Sequence, residues 1–165
     1  MRQWVIGGLA AAGLSAGAGA GLAQAQDIVR SGAAESPIAA SVTVPGNARL
    51  IYVSGTVPDA VNPAAAAGSV ERFGDTEAQT RSVLGKIDAA LKAQGLGMGD
   101  VVMMRVFLVA PPGAKAMDFA GMMRGYKTFF GTTAQPLKPS RSTMQVAGLV
   151  DPGWLVEIEV TAARK

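Results

Sequence analysis

The stretch PSRSTMQVAGLVDPGWLVEIEV, residues 139–160, gives the clearest strand pattern in the sequence. Apolar and polar residues alternate with a period of two on both sides of Asp-Pro-Gly, a pattern typical of two strands joined by a turn. The alternation carries one arginine, Arg141, near its start and two glutamates, Glu157 and Glu159, near its end. An antiparallel hairpin with one wet face would explain these charges as solvent-facing residues, whereas a binding site would give them a chemical role.

The position of the turn fixes which residues of this hairpin would face each other. With the turn centred near Asp151, Glu157 lies opposite Gln145, four positions from Arg141 and about 13 Å away along the strand. A direct ion pair between Arg141 and Glu157 is therefore not expected within one hairpin. Either a bulge shifts the register, or the two groups meet through a neighbouring subunit or a ligand. Glu159 is expected to have a structural role.

Three further segments predict strands upstream of the hairpin. SVTV (41–44) is a candidate edge, and RLIYVSG (49–55) is a stronger strand with β-branched and aromatic residues. VVMMRVFLV (101–109) is nearly continuous in apolar residues, as buried strands are. Two loops, residues 56–74 and 110–116, are long for connections in a compact domain, and loops of that kind are often functional.

Two segments show the four-residue spacing of helices. The first begins at Asp75 or Thr76, either of which can cap it, and ends near Gly95. The second covers residues 117–130, and its methionines and aromatic rings favour core packing over a cofactor site. Packing both helices on one face of a mixed sheet gives an α+β fold.

The face of this sheet that the helices do not cover is expected to be mixed in character. The alternation assigns Arg141 and Glu157 to that face, together with Ala147 and Leu155. Specific interfaces combine apolar contact with a few fixed polar groups. The open face is therefore expected to suit a subunit interface better than bulk water.

The first residues predict a targeting segment. A basic start at Arg2, an uncharged run of apolar and small residues, and the sequence AQA ending at residue 25 form the pattern of a cleaved signal peptide. We therefore expect residues 1–25 to be a signal peptide, residues 26–45 a lead-in and residues 46–165 a single domain. An uncleaved membrane anchor is the alternative. Cleavage implies a periplasmic or secreted protein that has no membrane contact.

The composition excludes several kinds of chemistry. The chain contains no histidine and no cysteine, which removes the usual general base, soft-metal ligands and every Ser-His or Cys-His nucleophile. The formal charge of +3 is mild and the basic residues are scattered, which disfavours nucleic acid as a partner. Any reaction must use carboxylates, arginine, lysine, tyrosine, hydroxyls or backbone groups, and neither a metal nor a cofactor is expected.

With these segments laid out, the chain resembles the Rid, or YjgF, family of reactive-intermediate deaminases, which hydrolyse imines and enamines. The similarity runs from about Leu50 to Ala163 and rests on an ordered set of segments: IYVSGTVP, NPAAAAG, GDTEAQT, SVLGKIDAALKAQGLGMGDVV, RVFLV, YKTFFG, PSRSTMQVAGL and VEIEV. The resemblance implies a chorismate-mutase-like fold and a homotrimer with three sites in the clefts between subunits. It also implies a small substrate that bears a carboxylate.

The resemblance implies roles for particular residues. Arg141, in the P-x-R-S pattern, would bind the substrate carboxylate, with Ser142 and Thr143 as further binding residues, and Glu157 would position the hydrolytic water. A guanidinium fork fits a carboxylate bidentately. A carboxylate beside the water can accept its proton during attack and return it to the departing ammonia. This chemistry needs no histidine, metal or cofactor.

The sequence departs from the family pattern in two places that bear on the substrate. SPIAASV stands where archetypal members have a Gly-Pro-Tyr segment, and Thr143 stands where a cysteine is frequent. These changes keep the carboxylate anchor and leave the identity of the substrate open. A trimeric protein that binds a carboxylate metabolite without turnover is the second hypothesis. An endoribonuclease, an activity attributed to some members, is a remote third.

Overall fold

A computed structural model describes residues 27–165, so the predicted signal peptide lies outside the described residues. The elements in this range are β1 (Val29–Ser31), β2 (Ser41–Thr43), β3 (Arg49–Thr56), α1 (Val70–Phe73), α2 (Thr76–Ala93), a 3-10 turn (Met98–Asp100), β4 (Val101–Leu108), α3 (Phe119–Tyr126), β5 (Ser140–Gln145) and β6 (Val156–Arg164). The predicted strands and helices are all present, and β1 and α1 were not predicted. None of the helices in residues 27–165 is both long enough and apolar enough to cross a bilayer.

Four strands form one mixed sheet in the order β3-β6-β4-β5. β6 runs antiparallel to both β3 and β4, whereas β5 runs parallel to β4. β1 and β2 form a separate antiparallel ribbon in the predicted lead-in. This ribbon reaches the start of β5, where the Ala39 N–H donates to the Pro139 carbonyl at 2.9 Å. The architecture confirms the predicted α+β fold class.

The hairpin predicted from residues 139–160 is wrong, because β5 and β6 are not neighbours. β4 lies between them, and the Val146 N–H donates to the Leu108 carbonyl directly after β5. The Asp-Pro-Gly turn does form, with the Trp154 N–H donating to the Asp151 carbonyl at 3.0 Å. Alternation and turn residues identify strands and turns, but they do not specify which strands pair.

The buried side chain of Gln79 holds the connection between β5 and β6. Its amide nitrogen donates to the carbonyls of Gly74 and Gly153, each at 2.9 Å. Its amide oxygen accepts from the Leu155 N–H at 2.7 Å. Gln79 lies in the first turn of α2, which Asp75 caps as predicted by accepting from the Ala78 N–H. The helix therefore satisfies backbone groups that a hairpin partner would otherwise satisfy.

The strand register assigns side chains to two faces. One row on β4 and β6 is buried in the core that α2 and α3 cover: Met104, Val106, Leu108, Val156, Ile158 and Val160. The opposite row carries Arg105, Glu157 and Glu159, and on the neighbouring β3 the side chain of Tyr52 is 74% exposed. The predicted open second face is therefore present in the single chain, but the assignment of Leu155 to it is wrong, because the side chain of Leu155 is buried in the core.

Replacing Gln79 should destabilise the fold strongly. We expect Gln79→Ala to lower the free energy of unfolding by about 3 kcal/mol, because it leaves at least two buried backbone groups without a partner. Gln79→Glu keeps the volume but removes the amide donor, and it should cost a similar amount. Urea unfolding at fixed protein concentration measures both variants against Gln94→Ala, the same change at the exposed end of α2. Equal stability of the Gln79 and Gln94 variants would contradict the assignment.

Candidate functional site

Arg141 lies on β5, an edge strand of the sheet, and its side chain is on the face that the helices cover. It pairs with Met104 of β4, whose side chain is fully buried. The prediction that Arg141 shares the open face with Glu157 is therefore wrong. The parallel pairing of β5 with β4, and not a hairpin with β6, sets which way the side chains of β5 point.

Side chains of α3 surround the guanidinium of Arg141. Its Cζ atom is 4.4 Å from the ring centroid of Tyr126 and 5.9 Å from that of Phe119, within the range of cation–π attraction. Its Nη2 atom is 3.2 Å from the Met123 sulfur, and Nη1 is 4.0 Å from the Met122 sulfur. A thioether is a weak acceptor, so the terminal N–H groups have no strong partner. The methionine and aromatic spacing in 117–130 predicted core packing, and the same residues also cover the arginine.

The Arg141 cation has no counter-anion in the described chain. None of the ion pairs within residues 27–165 includes Arg141, and its Nε atom is buried without a hydrogen-bond partner. Burial lowers the pKa of Arg141 because desolvation disfavours the charged form, while the neighbouring Tyr126 oxygen acts in the opposite direction. A guanidinium nevertheless stays protonated in proteins. The site therefore presents an unpaired cation that an anion would complete.

The phenol of Tyr126 links Arg141 to the lead-in. Its ring lies under the guanidinium, and its hydroxyl donates to the Pro37 carbonyl at 3.0 Å. Burial raises the pKa of Tyr126 to about 12, although the charge of Arg141 acts to lower it. The phenol is thus neutral at physiological pH, and it supports the cation through its ring and not through a negative charge.

The other binding residues that the resemblance implies lie on different faces. Thr143 is on the same face of β5 as Arg141, and its hydroxyl is buried without a hydrogen-bond partner. Ser142 is exposed on the opposite face, where it pairs with Arg105. The structure therefore brings Arg141 and Thr143 together and separates Ser142 from both.

Glu157 lies on β6 beside an irregularity in the adjacent strand. The register between β3 and β6 shifts between Val53 and Thr56, as at a β-bulge, which often occurs next to functional sites. The Glu157 carboxylate lies so close to Gly55 that a Cβ atom at that position would overlap its Oε1 atom. Within the described chain no hydrogen bond or ion pair engages Glu157. Gly55 thus makes the space that this carboxylate occupies.

Arg141 and Glu157 cannot form one site within a single chain. They lie on opposite faces of the sheet, with β4 between their strands. Arg141 pairs with Met104, whereas Glu157 pairs with Phe107, three residues further along β4. Their backbones are therefore about 10 Å apart across the strands and about 10 Å along them. The register irregularity in the neighbouring β3 does not bring Glu157 to the face that carries Arg141.

Glu159, by contrast, has a partner. Its carboxylate forms an ion pair of 2.5 Å with Arg105 on the neighbouring β4. The pair borders a depression of about 260 Å³ on the open face, together with Tyr52, Ser54 and Thr161. Glu159 thus forms a cross-strand pair of the kind that stabilises sheets, as expected for a structural role.

Comparison with known proteins identifies the family. A family model described as Endoribonuclease L-PSP matches residues 33–164. The chain is 36% identical over 116 residues to a RutC family protein of Haemophilus influenzae, covering 70% of this chain and 80% of that protein. It is 35% identical over 116 residues, with the same coverage, to the 2-iminobutanoate/2-iminopropanoate deaminase of Escherichia coli K12. The chain belongs to the Rid, or YjgF, family.

Solved structures agree with this assignment. The YjgF gene product of Escherichia coli superposes with a TM-score of 0.54 at 30% identity, covering 70% of this chain and 81% of that one. Escherichia coli TdcF, solved with bound serine, gives a TM-score of 0.56 at 27% identity, with coverage of 85% and 100%. A Rid family protein of Yersinia pestis gives a TM-score of 0.62 at 21% identity and supports the fold alone.

The environment of Tyr126 predicts a measurable titration. In a Tyr52→Phe background, where Tyr126 is the remaining tyrosine, phenolate absorbance should appear with a pKa of about 12. Adding Arg141→Met should raise that pKa further, because a positive charge next to the ring is lost. Since the folded pKa exceeds the ordinary tyrosine pKa of 10.0, the contribution of Tyr126 to stability should be complete below about pH 10 and lost towards pH 12. A fall in the pKa on removing Arg141 would contradict the contact.

Proposed function

We propose that this protein hydrolyses a small 2-imino or enamine carboxylate to a keto acid and ammonia, at a site formed between two subunits. Arg141 binds the carboxylate of the substrate, and Glu157 positions and deprotonates the attacking water. The relatives support the reaction class, since one of them is named as a 2-iminobutanoate/2-iminopropanoate deaminase. TdcF with bound serine supports a ligand that resembles an amino acid.

The observation that carries the proposal is the unpaired guanidinium of Arg141. Leaving a charged group half-buried without a counter-ion costs free energy, and proteins keep such groups mainly where a ligand completes them. The terminal N–H groups contact only thioether sulfur, which a carboxylate would displace because charge-assisted hydrogen bonds are much stronger. Bidentate binding would also orient the C=N carbon next to the carboxylate.

Thr143 is the proposed second donor to the substrate. Its hydroxyl has no partner and lies on the same face of β5 as Arg141. The hydroxyl oxygen is buried, so a ligand would reach it only after a covering side chain moves. Ser142 is exposed on the other face, and any role that it has in binding would require a different subunit from the one that contributes Arg141.

Hydrolysis needs one water molecule and one group that handles its proton. Glu157 accepts a proton as the water oxygen bonds to the imine carbon, which gives a tetrahedral carbinolamine. Glu157 passes this proton to the nitrogen, then takes the remaining proton from the carbinolamine hydroxyl and delivers it to the nitrogen as well. The C–N bond breaks, and ammonia leaves as the carbonyl forms. The carboxylate is free for this task, because no hydrogen bond or ion pair within residues 27–165 engages it. Every step uses residues of the chain and water alone.

The positions of the two residues support a site between subunits. Arg141 is on an edge strand and Glu157 is on the open face, so a neighbouring copy could place its own Glu157 beside Arg141. The exposed ring of Tyr52 and the charges around it give this face the mixed character of interfaces. A cyclic homotrimer, which the family resemblance implies, would contain three equivalent sites of this kind.

Removal of either proposed residue should abolish catalysis in different ways. With imino acids generated by an amino-acid oxidase, we expect Arg141→Ala to lower kcat/KM roughly 100-fold or more through loss of charge-assisted hydrogen bonds. Glu157→Gln should lower kcat by about 100-fold while ligand binding is kept. Glu159→Gln, a matched carboxylate change on the same strand, should stay near wild type. Release of keto acid and ammonia, compared with the oxidase alone, gives the rates.

The same variants separate the alternatives. A protein that only binds carboxylates would show no acceleration in wild type, while Arg141→Ala would still abolish binding of a keto acid. RNA cleavage is the activity that the family model's description names, and the chain has no histidine to serve as its general acid or base. Purified protein is therefore expected to leave a structured RNA intact. Cleavage that Arg141→Ala abolishes would assign the site to RNA instead.

Mixing two inactive variants should restore activity. In a trimer assembled at random from equal amounts of Arg141→Ala and Glu157→Gln chains, about a quarter of the sites combine an intact Arg141 with an intact Glu157 from the next subunit. Co-expression or joint refolding should then give roughly a quarter of wild-type activity. Each variant alone, refolded identically, provides the baseline. If the mixture is no more active than the two variants alone, the two residues do not act across an interface.

A further inference from the structure

We infer that the substrate carries a large apolar side chain, which packs against a wall formed by Phe119 and Met123. This inference rests on the proposed function and names its substrate class. The wall lies directly beside the carboxylate anchor, since Phe119 is 5.9 Å and the Met123 sulfur 3.2 Å from atoms of the Arg141 guanidinium.

The geometry of carboxylate binding places the substrate next to this wall. A carboxylate bound bidentately has its carbon about 4 Å from Cζ of Arg141, since each N···O distance is about 2.8 Å. The imine carbon follows at about 5.5 Å, one C–C bond further out. The Met123 sulfur is 3.2 Å from Nη2, one of the two nitrogens that such a carboxylate would take, and the Phe119 ring lies over the same guanidinium, so that the wall borders the position of the substrate side chain.

Phe119 and Met123 are available for such contact, whereas the deeper residues around Arg141 are not. Phe119 is 44% exposed and Met123 is partly exposed, but Met122 and Tyr126 are fully buried in the core. A carboxylate that takes Nη2 of Arg141 displaces the Met123 sulfur. The unbranched methionine side chain can then turn onto the substrate, as methionines do in adaptable apolar sites.

The charged residues nearest to this wall on α3 already have partners. Asp118 caps the helix by accepting from the Gly121 N–H at 2.8 Å. Arg124 forms an ion pair of 2.5 Å with Glu77 on α2. Neither group is free to bind a polar substrate side chain without breaking a contact of the fold. An apolar side chain would instead cover the exposed ring and remove apolar surface from water.

A matched pair of substrates tests the inference. Leucine and asparagine have side chains of nearly equal size and opposite polarity, so their imines, formed by an amino-acid oxidase, differ mainly in that property. We expect kcat/KM for the leucine-derived imine to exceed that for the asparagine-derived imine by about tenfold or more, from the apolar area buried. A nucleophilic trap such as semicarbazide reports the imine that escapes hydrolysis. Equal values, or preference for the asparagine-derived imine, would overturn the inference while leaving the deaminase proposal intact.

Variants of the wall should change this preference specifically. Met123→Gln keeps the length of the side chain but makes it polar. It should reduce the ratio of kcat/KM for the leucine-derived imine to kcat/KM for the asparagine-derived imine about fivefold or more. Phe119→Ala should have the same effect. Met123→Leu, which removes the sulfur but stays apolar, should keep the ratio. Leu137→Gln makes the same kind of polar change at an exposed apolar residue elsewhere. It should leave the kcat/KM values for both imines unchanged. Circular dichroism and thermal unfolding establish that each variant is folded.

A binding measurement separates failure of this inference from failure of the proposed function. The keto acids that correspond to leucine and asparagine are stable and bear the same carboxylate and side chains. If neither imine is turned over, the deaminase proposal fails, and calorimetric titration with these keto acids still tests the wall. Tighter binding of the leucine-derived keto acid, lost in Met123→Gln, would support the wall. Equal binding of the two keto acids, or binding of neither, would overturn it.

Discussion

The parallel ladder between β4 and β5 determines where the charges of this sheet point. It pairs Arg141 with buried Met104 and therefore places the guanidinium on the helix side, while Glu157 on β6 remains on the open side. A parallel pair also requires a crossover, and the segment between β4 and β5 contains α3. The crossover thus supplies the aromatic and thioether groups that surround the cation. One choice of strand partner fixes both the position of Arg141 and its environment.

The polar side chains within residues 27–165 are satisfied unevenly, and the buried atoms without a hydrogen-bond partner include two in the candidate site, besides those of Arg30, Thr76 and Trp154. Gln79 completes three backbone hydrogen bonds in the core, and Glu159 has Arg105 as its partner. Arg141 and Thr143, in contrast, keep buried atoms without partners. Local rules of hydrogen bonding are usually broken where a protein binds something. Within one sheet, some polar groups thus hold the fold together, whereas Arg141 and Thr143 keep hydrogen-bonding capacity that the described chain does not use.

Sequence alone predicted the elements well because their signals are local. The helix that Asp75 caps, the buried strand from Val101 and the Asp-Pro-Gly turn all depend on neighbouring residues. Strand partners depend on contacts distant in sequence, so the alternation in 139–160 could not reveal that β4 separates β5 from β6. The same gap put Arg141 on the wrong face and hid the contact of α3 with its guanidinium. The family pattern implied roles for Arg141 and Glu157, and their spacing made a direct ion pair unexpected, but only the topology shows that they lie on opposite faces of the sheet.

The hydrogen bond from the Tyr126 hydroxyl to the Pro37 carbonyl has an evolutionary consequence. One ring both supports the guanidinium and anchors the lead-in, so a change in the length or stiffness of residues 33–40 would tilt the ring and shift the cation above it. Mutations remote from the bound molecule could therefore retune affinity during divergence. The lead-in is also one of the places where the sequence departs from the archetypal family pattern, so a change there would act on the surroundings of Arg141 without replacing it.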